Sequence, residues 1–210
     1  MGTWYGRDFR GVGGGLSNWL SNSLLPTGRA SRRIYAPLAK DKTQLLPLTP
    51  EVIAQVALLL GRQPRGLEEI AVARPDGRPM VIRVASLVDD KPFPTLYWLL
   101  DPDLCYRIDQ VEAAGLIKQL QQRIDADPQL HNSMREDHLA HIALREDYMT
   151  PQIRRRLGEL NFSEVFASKG IGGIADFKRI RCLHTWYAAH LVVPNTVGRL
   201  LDEYWRQGDG

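Results

Sequence analysis

The chain has 210 residues, with 44% hydrophobic and 24% charged side chains and a net charge of +3. Such a composition suits a soluble globular protein with one sizeable core and an appendage, and no run approaches the roughly eighteen apolar residues of a membrane span. Two cysteines, at 105 and 182, make neither a disulfide framework nor a Cys-x-x-Cys pair, so a reducing, cytoplasmic location is expected.

Charge is unevenly spread. Residues 1–48 carry seven basic side chains and two acidic ones, whereas the rest carries 20 and 22. Glycines and prolines discourage regular structure in this stretch, which reads as an extended arm ahead of a single domain over 49–210. GVGGGLSNWLSNSLL, behind Arg7 and Arg10, is too polar for the apolar part of a secretory leader. Yet Trp4, Tyr5 and Phe9 are more than a plain linker carries. Leu16, Trp19, Leu20 and Leu24 fall on one helical face. With Arg32 and Arg33 these residues form a candidate partner-binding segment, seated either in a groove of another molecule or on the chain's own body.

The body opens with a helix from Thr49-Pro50 to a stop at Gly61. Two strands, GLEEIAVAR and RPMVIRVASL, flank the turn Pro75-Asp76-Gly77. A third strand, TLYWLL, follows Pro92-Phe93-Pro94. Asp101-Pro102 starts a helix to about Asp125 with a weak point at Gly115. Further helices are expected over 129–148, from Thr150-Pro151 to about Leu160, over roughly 176–192, and in the closing TVGRLLDEYW. The pattern predicts an α+β fold: a small antiparallel sheet of about three strands packed with several helices.

Residues 168–196 concentrate the chemistry. Lys178, Arg179 and Arg181 precede Cys182 and His184, the two catalytic candidates. Nearby positive charge and a base within reach are what a nucleophilic cysteine needs. If the segment is helical, two residues span roughly 200° of rotation and the pair diverges; if extended, it shares a face. Arg62, Arg65, Gly172, Gly173, Lys178, Arg179 and Arg181 form a candidate anion site of backbone amides and arginine forks. His131, His138 and His141 share one side of the 129–148 helix, whose composition otherwise reads as solvated. No metal set and no cofactor are expected.

Several of these segments resemble one bacterial family, domain of unknown function 501. They are Leu60-Gly61-Arg62-x-Pro64-Arg65-Gly66, Pro92-Phe93-Pro94-Thr95-Leu96-Tyr97-Trp98-Leu99, Val111-Glu112-Ala113-Ala114-Gly115, the stretch around Cys182-Leu183-His184, and Pro194-Asn195-x-Val197-Gly198. They run in family order over roughly residues 58–200. The resemblance carries no established activity; the family's gene neighbourhood implies a link to cell division or envelope growth. Family members often place Cys-Pro where this chain has Asp101-Pro102, and a second histidine where it has Trp186. Both departures argue against a metal enzyme.

Two functions follow as expectations. The first is a non-enzymatic accessory protein whose arm docks on a larger protein or ribonucleoprotein assembly. The second is an enzyme acting on a phosphorylated or other anionic small molecule through Gly170–His184.

Overall fold

In the computed structural model, which describes residues 47–208, four helices start where the sequence supplies a cap and a proline. The Thr49 side chain accepts the Val52 N–H to open α1 (Pro50–Leu60), and Gly61 closes it in the left-handed region at φ 69°. Asp101 accepts the Leu104 N–H and opens α2 (Pro102–Ala113). Gly115, at φ 86°, then separates α2 from α3 (Leu116–Ala126). Asp127 caps α4 (Pro128–Tyr148), and Thr150 caps α5 (Pro151–Glu159). After these come α6 (Ser163–Ser168), a 3-10 turn at Ile171–Gly173, α7 (Leu183–Val192) and α8 (Thr196–Gly208). Apart from Pro47 and Leu48, the arm and all its partner-binding candidates lie outside the described residues.

Strands β1 (Leu67–Ala73), β2 (Pro79–Val84) and β5 (Tyr97–Leu99) form an antiparallel sheet in the order β1-β2-β5. Ile70 lies opposite Ile82, and Ile82 opposite Trp98. Because side chains alternate across a strand, Ile82 and Val84 share one face, where they pack with Val56 of α1, Ile70 and Leu100. The other face of the sheet meets α7, which touches both β5 and β1. A second, short hairpin joins β3 (Leu87–Val88) to β4 (Lys91–Pro92). The fold is α+β, a small three-stranded antiparallel sheet among eight helices in the described residues.

Helix α7 is the centre of the packing. Leu183, His184, Trp186, Tyr187, Ala188, Ala189 and Leu191 are all buried. It contacts β5, α8, α2 and the 3-10 turn. A helix enclosed on most sides has little amphipathic signal, which explains why its bounds were hard to read. The expected helix over 176–192 is corrected here: 174–182 is irregular chain and the helix begins at Leu183. Its start is set by a partner helix, not by a local cap. Among the described residues no helix is long and apolar enough to cross a membrane.

Candidate functional site

Cys182 stands just ahead of α7 with extended backbone, φ −155° and ψ 122°. The pair 182/184 therefore straddles the helix boundary and escapes helical spacing. Cys182 Sγ lies 3.7 Å from His184 Nδ1. The Thr185 hydroxyl donates to the Cys182 carbonyl at 3.0 Å and holds the first turn.

Helix α2 supplies the opposite wall. Cys105, Asp109 and Glu112 fall at i, i+4 and i+7, one face of a helix, and α2 packs against α7. Glu112 Oε1 accepts the Leu183 N–H at 2.5 Å and stands 3.7 Å from His184 Nδ1. On the far side of the ring, His184 Nε2 lies 3.3 Å from the Cys105 carbonyl oxygen and 3.4 Å from Asp109 Oδ1. One imidazole nitrogen thus faces sulfur and carboxylate, while the other faces a carbonyl and a second carboxylate.

The ring is nearly enclosed: the His184 side chain is 8% exposed, against 45% for Asp109. Burial pushes its pKa down, but Cys182 and Glu112 outweigh burial and raise it to about 10. His184 is therefore an imidazolium at neutral pH. Cys105 behaves differently. Burial above all, then Asp109, Asp101 and Cys182, push its thiol up to about 12, so it stays protonated.

The anion candidates are engaged separately. Arg62 stacks over the Trp98 ring at 5.2 Å, and Arg65 lies 3.4 Å from Asp89. Gly172, at φ 70°, sits where an added Cβ would meet the Thr185 hydroxyl at 2.8 Å, and one on Gly173 would meet Pro94 at 3.1 Å. In this loop the Ile171 N–H donates to His138 Nδ1 and the Gly173 N–H to the Gly170 carbonyl. Arg179 lies 3.8 Å from Asp125 and 3.9 Å from Asp176. Lys178, Arg179 and Arg181 are exposed on the chain leading to Cys182.

The α4 histidines belong largely to the core. His138 stacks on Phe177 with centroids 4.6 Å apart and meets Trp186 edge-on at 4.8 Å. His141 packs against Tyr97 at 6.0 Å. The buried stripe also holds Met134, Ile142 and Arg145, so this face of α4 is not the solvated surface its composition suggests.

Sequence reasoning found Cys182 and His184 but missed Glu112 and Asp109 as their companions. The readable signal was Cys105, Asp109 and Glu112 on one face of a confidently predicted helix. Nothing local said which face would meet residue 184.

An α+β protein whose polar cluster joins α2 to the start of α7 is the class these features define. The chain belongs to the family described as protein of unknown function (DUF501), whose model matches residues 70–203. Both arms of the cluster, Glu112 and the Cys182–His184 pair, lie within the matched residues. Neither a curated protein nor a solved structure is detectably similar to the chain.

Proposed function

We propose that the protein is an enzyme whose reactive centre is the Cys182–His184–Glu112 cluster. It works on a small electrophilic substrate by coupling the sulfur to proton transfer at His184. The observation carrying this reading is the approach of Sγ, Nδ1 and a carboxylate oxygen, all within 4.8 Å of one another, from positions 70 residues apart. Glu112 and Asp109 flank the ring and hold its orientation, the role of the third member of a nucleophile–base–orienter set. His184 Nδ1 exchanges the thiol proton, and the imidazolium beside the sulfur is the condition under which a cysteine reacts as thiolate. Exposed Lys178, Arg179 and Arg181 favour an anionic substrate approaching along the same loop.

The test is site-resolved alkylation of the full chain, in chelator, by iodoacetamide at neutral pH, read by peptide mass spectrometry. Cys182 is expected to react at least about tenfold faster than Cys105, and faster than in His184→Ala. Equal, slow labelling of both cysteines in the folded chain sinks the reading.

A second reading rests on the sequence of residues 1–48, seven basic against two acidic side chains interleaved with large aromatics. Such an arm supports docking on an acidic protein groove or a ribonucleoprotein, and nucleic acid as partner would make the association salt-sensitive. Capture experiments with the full chain and a chain starting at Leu48, each with and without nuclease, separate the two. Partners recovered equally by both chains would remove the arm from the account.

A further inference from the structure

We propose that the reactive centre binds one thiophilic divalent cation, zinc, through Cys182 Sγ, His184 Nδ1 and a Glu112 carboxylate oxygen. A fourth position then stays open to water or to an anionic group of the substrate. This deepens the reading of the cluster as the reactive centre and rests on it.

Four features of the molecule carry the inference. The donor set is one sulfur, one imidazole nitrogen and one carboxylate oxygen, the ligand types zinc accepts in tetrahedral sites. Spacing agrees. Ligands at roughly 2.0–2.3 Å from a tetrahedral zinc stand roughly 3.3–3.7 Å from one another. Sγ to Nδ1 and Nδ1 to Oε1 are each 3.7 Å. Along these two edges the contraction needed to seat an ion is a few tenths of an ångström; Sγ and the Glu112 oxygen lie within 4.8 Å, an edge that closes by at most about 1 Å.

The outer partners of the histidine are also in place. With Nε2–H donating to the Cys105 carbonyl at 3.3 Å or to Asp109 at 3.4 Å, the proton a cation displaces is the one on Nδ1, whose lone pair then points at the sulfur and Glu112. A ligating imidazole oriented through its other nitrogen by a carbonyl or carboxylate is the usual outer arrangement of a metal histidine. Charge points the same way. Glu112 and Asp109 make this spot attractive to a cation, and a bound cation would in turn present a positive centre to an anionic substrate.

Glu112 has a competing duty, because Oε1 caps α7 through the Leu183 N–H. A carboxylate oxygen has two lone pairs, one for the N–H and one for an ion, so capping and ligation by Oε1 are compatible. Cys105 contributes its carbonyl, and its thiol points to the Leu99 carbonyl at 3.9 Å.

The experiment is zinc and cobalt titration of the full chain, stripped with chelator and checked for folding by circular dichroism. A chromogenic chelator serves as competitor for zinc, and elemental analysis gives the stoichiometry. One equivalent of zinc is expected, and cobalt should give a sulfur-to-metal charge-transfer band. Glu112→Gln keeps an oxygen for the Leu183 N–H but removes the anionic ligand; it should weaken zinc by about tenfold or more while leaving the fold intact. Cys182→Ser should abolish the charge-transfer band, and Cys105→Ser should retain it. A folded wild-type chain that binds no stoichiometric zinc overturns the proposal. So does zinc binding that is unchanged in Cys182→Ser and His184→Ala.

Alkylation separates this failure from failure of the underlying reading. Fast Cys182 labelling without zinc binding leaves a metal-free thiol centre. Zinc binding with slow labelling in the stripped chain leaves a metal site without a reactive thiol.

Discussion

Glu112 on α2 caps α7 by accepting the Leu183 N–H at 2.5 Å, one residue past Cys182. A helix N-terminus leaves unpaired N–H groups, and α7 has no side-chain cap from its own N-cap residue, Cys182. A carboxylate there also meets the positive end of the helix dipole. Glu112→Ala should therefore destabilise the chain by about 1–2 kcal/mol. That is a fall in Tm of roughly 2–8 °C for a domain of this size. Glu112→Gln should retain most of that stability, since an amide oxygen still accepts. Differential scanning calorimetry of the two variants checks this, and equal losses would mean that the charge, not the hydrogen bond, holds the joint.

The same joint shows what the sequence could and could not disclose. Thr49-Pro50, Asp101-Pro102 and Thr150-Pro151 each carry their own cap and first-turn proline, so α1, α2 and α5 were legible from local residues. Pro75-Asp76-Gly77 marked the main hairpin in the same way. The start of α7 was read seven residues too early because its cap comes from another helix. The β3–β4 hairpin went unread for a related reason. Its turn, Asp89-Asp90, holds φ of 51° and 58° without a glycine. Asp90 is tied at 2.6 Å to Arg156, 66 residues on. For the site, the pair 182/184 was legible and its geometry was not, since that depended on where the helix begins.

Buried histidines give the chain a defined acid weakness. Burial, then Arg145 and His138, push the His141 pKa down to about 3. Burial pushes His138 to about 4, against a small opposite pull from Asp176. In the unfolded chain both protonate near the ordinary value of about 6.5. Above that value they are neutral in both states and stability is insensitive to them. As pH falls from about 6.5 towards about 4, only the unfolded state takes up the protons, so stability drops. Each histidine should cost about 1.4 kcal/mol by pH 5.5. His184, held charged in the fold with its pKa raised to about 10, gains about 1.4 kcal/mol between pH 7.5 and 5.5 and offsets one of these losses. Urea unfolding at the two pH values should therefore show a net loss of about one histidine's worth, most of which His141→Leu should remove. A pH dependence identical in His141→Leu and in the wild type would contradict the burial of that ring.

Gly170 is set against the imidazole of His138, and a Cβ placed there would overlap Nδ1, Cγ and Cβ of that ring. The ring is held by the Ile171 N–H at 3.0 Å, by Phe177 and by Trp186, so it has little room to withdraw. Gly170→Ala should therefore cost about 1–3 kcal/mol or more through overpacking. Combining it with a smaller residue at 138, as in Gly170→Ala with His138→Ala, should recover part of the cost, and a double-mutant cycle in urea quantifies the coupling. Purely additive losses would show that the two positions do not press on each other.

Arg145 is fully buried on α4, yet the acceptors it meets are carbonyls: Pro94 at 2.8 Å, Phe166 at 2.5 Å and Lys169 at 2.6 Å. These carbonyls belong to the irregular chain before β5, to α6 and to the residue that ends α6. One guanidinium thus ties the chain before β5 and the end of α6 to the long helix. Desolvation drives its pKa down to about 10, a cost the fold meets by satisfying carbonyls that would otherwise be buried without donors. Lysine has no planar fork to reach all three. Arg145→Lys should therefore lose about 2–4 kcal/mol, in line with one or two buried acceptors left unsatisfied. Local loosening should show first as faster amide exchange at residues 166–171, whose loop packs beneath α7. Because Gly172 of that loop abuts Thr185, which holds the Cys182 carbonyl, the same substitution should also change the labelling rate of Cys182. Exchange at 166–171 as slow as in the wild type would show that the three carbonyls find their order without Arg145.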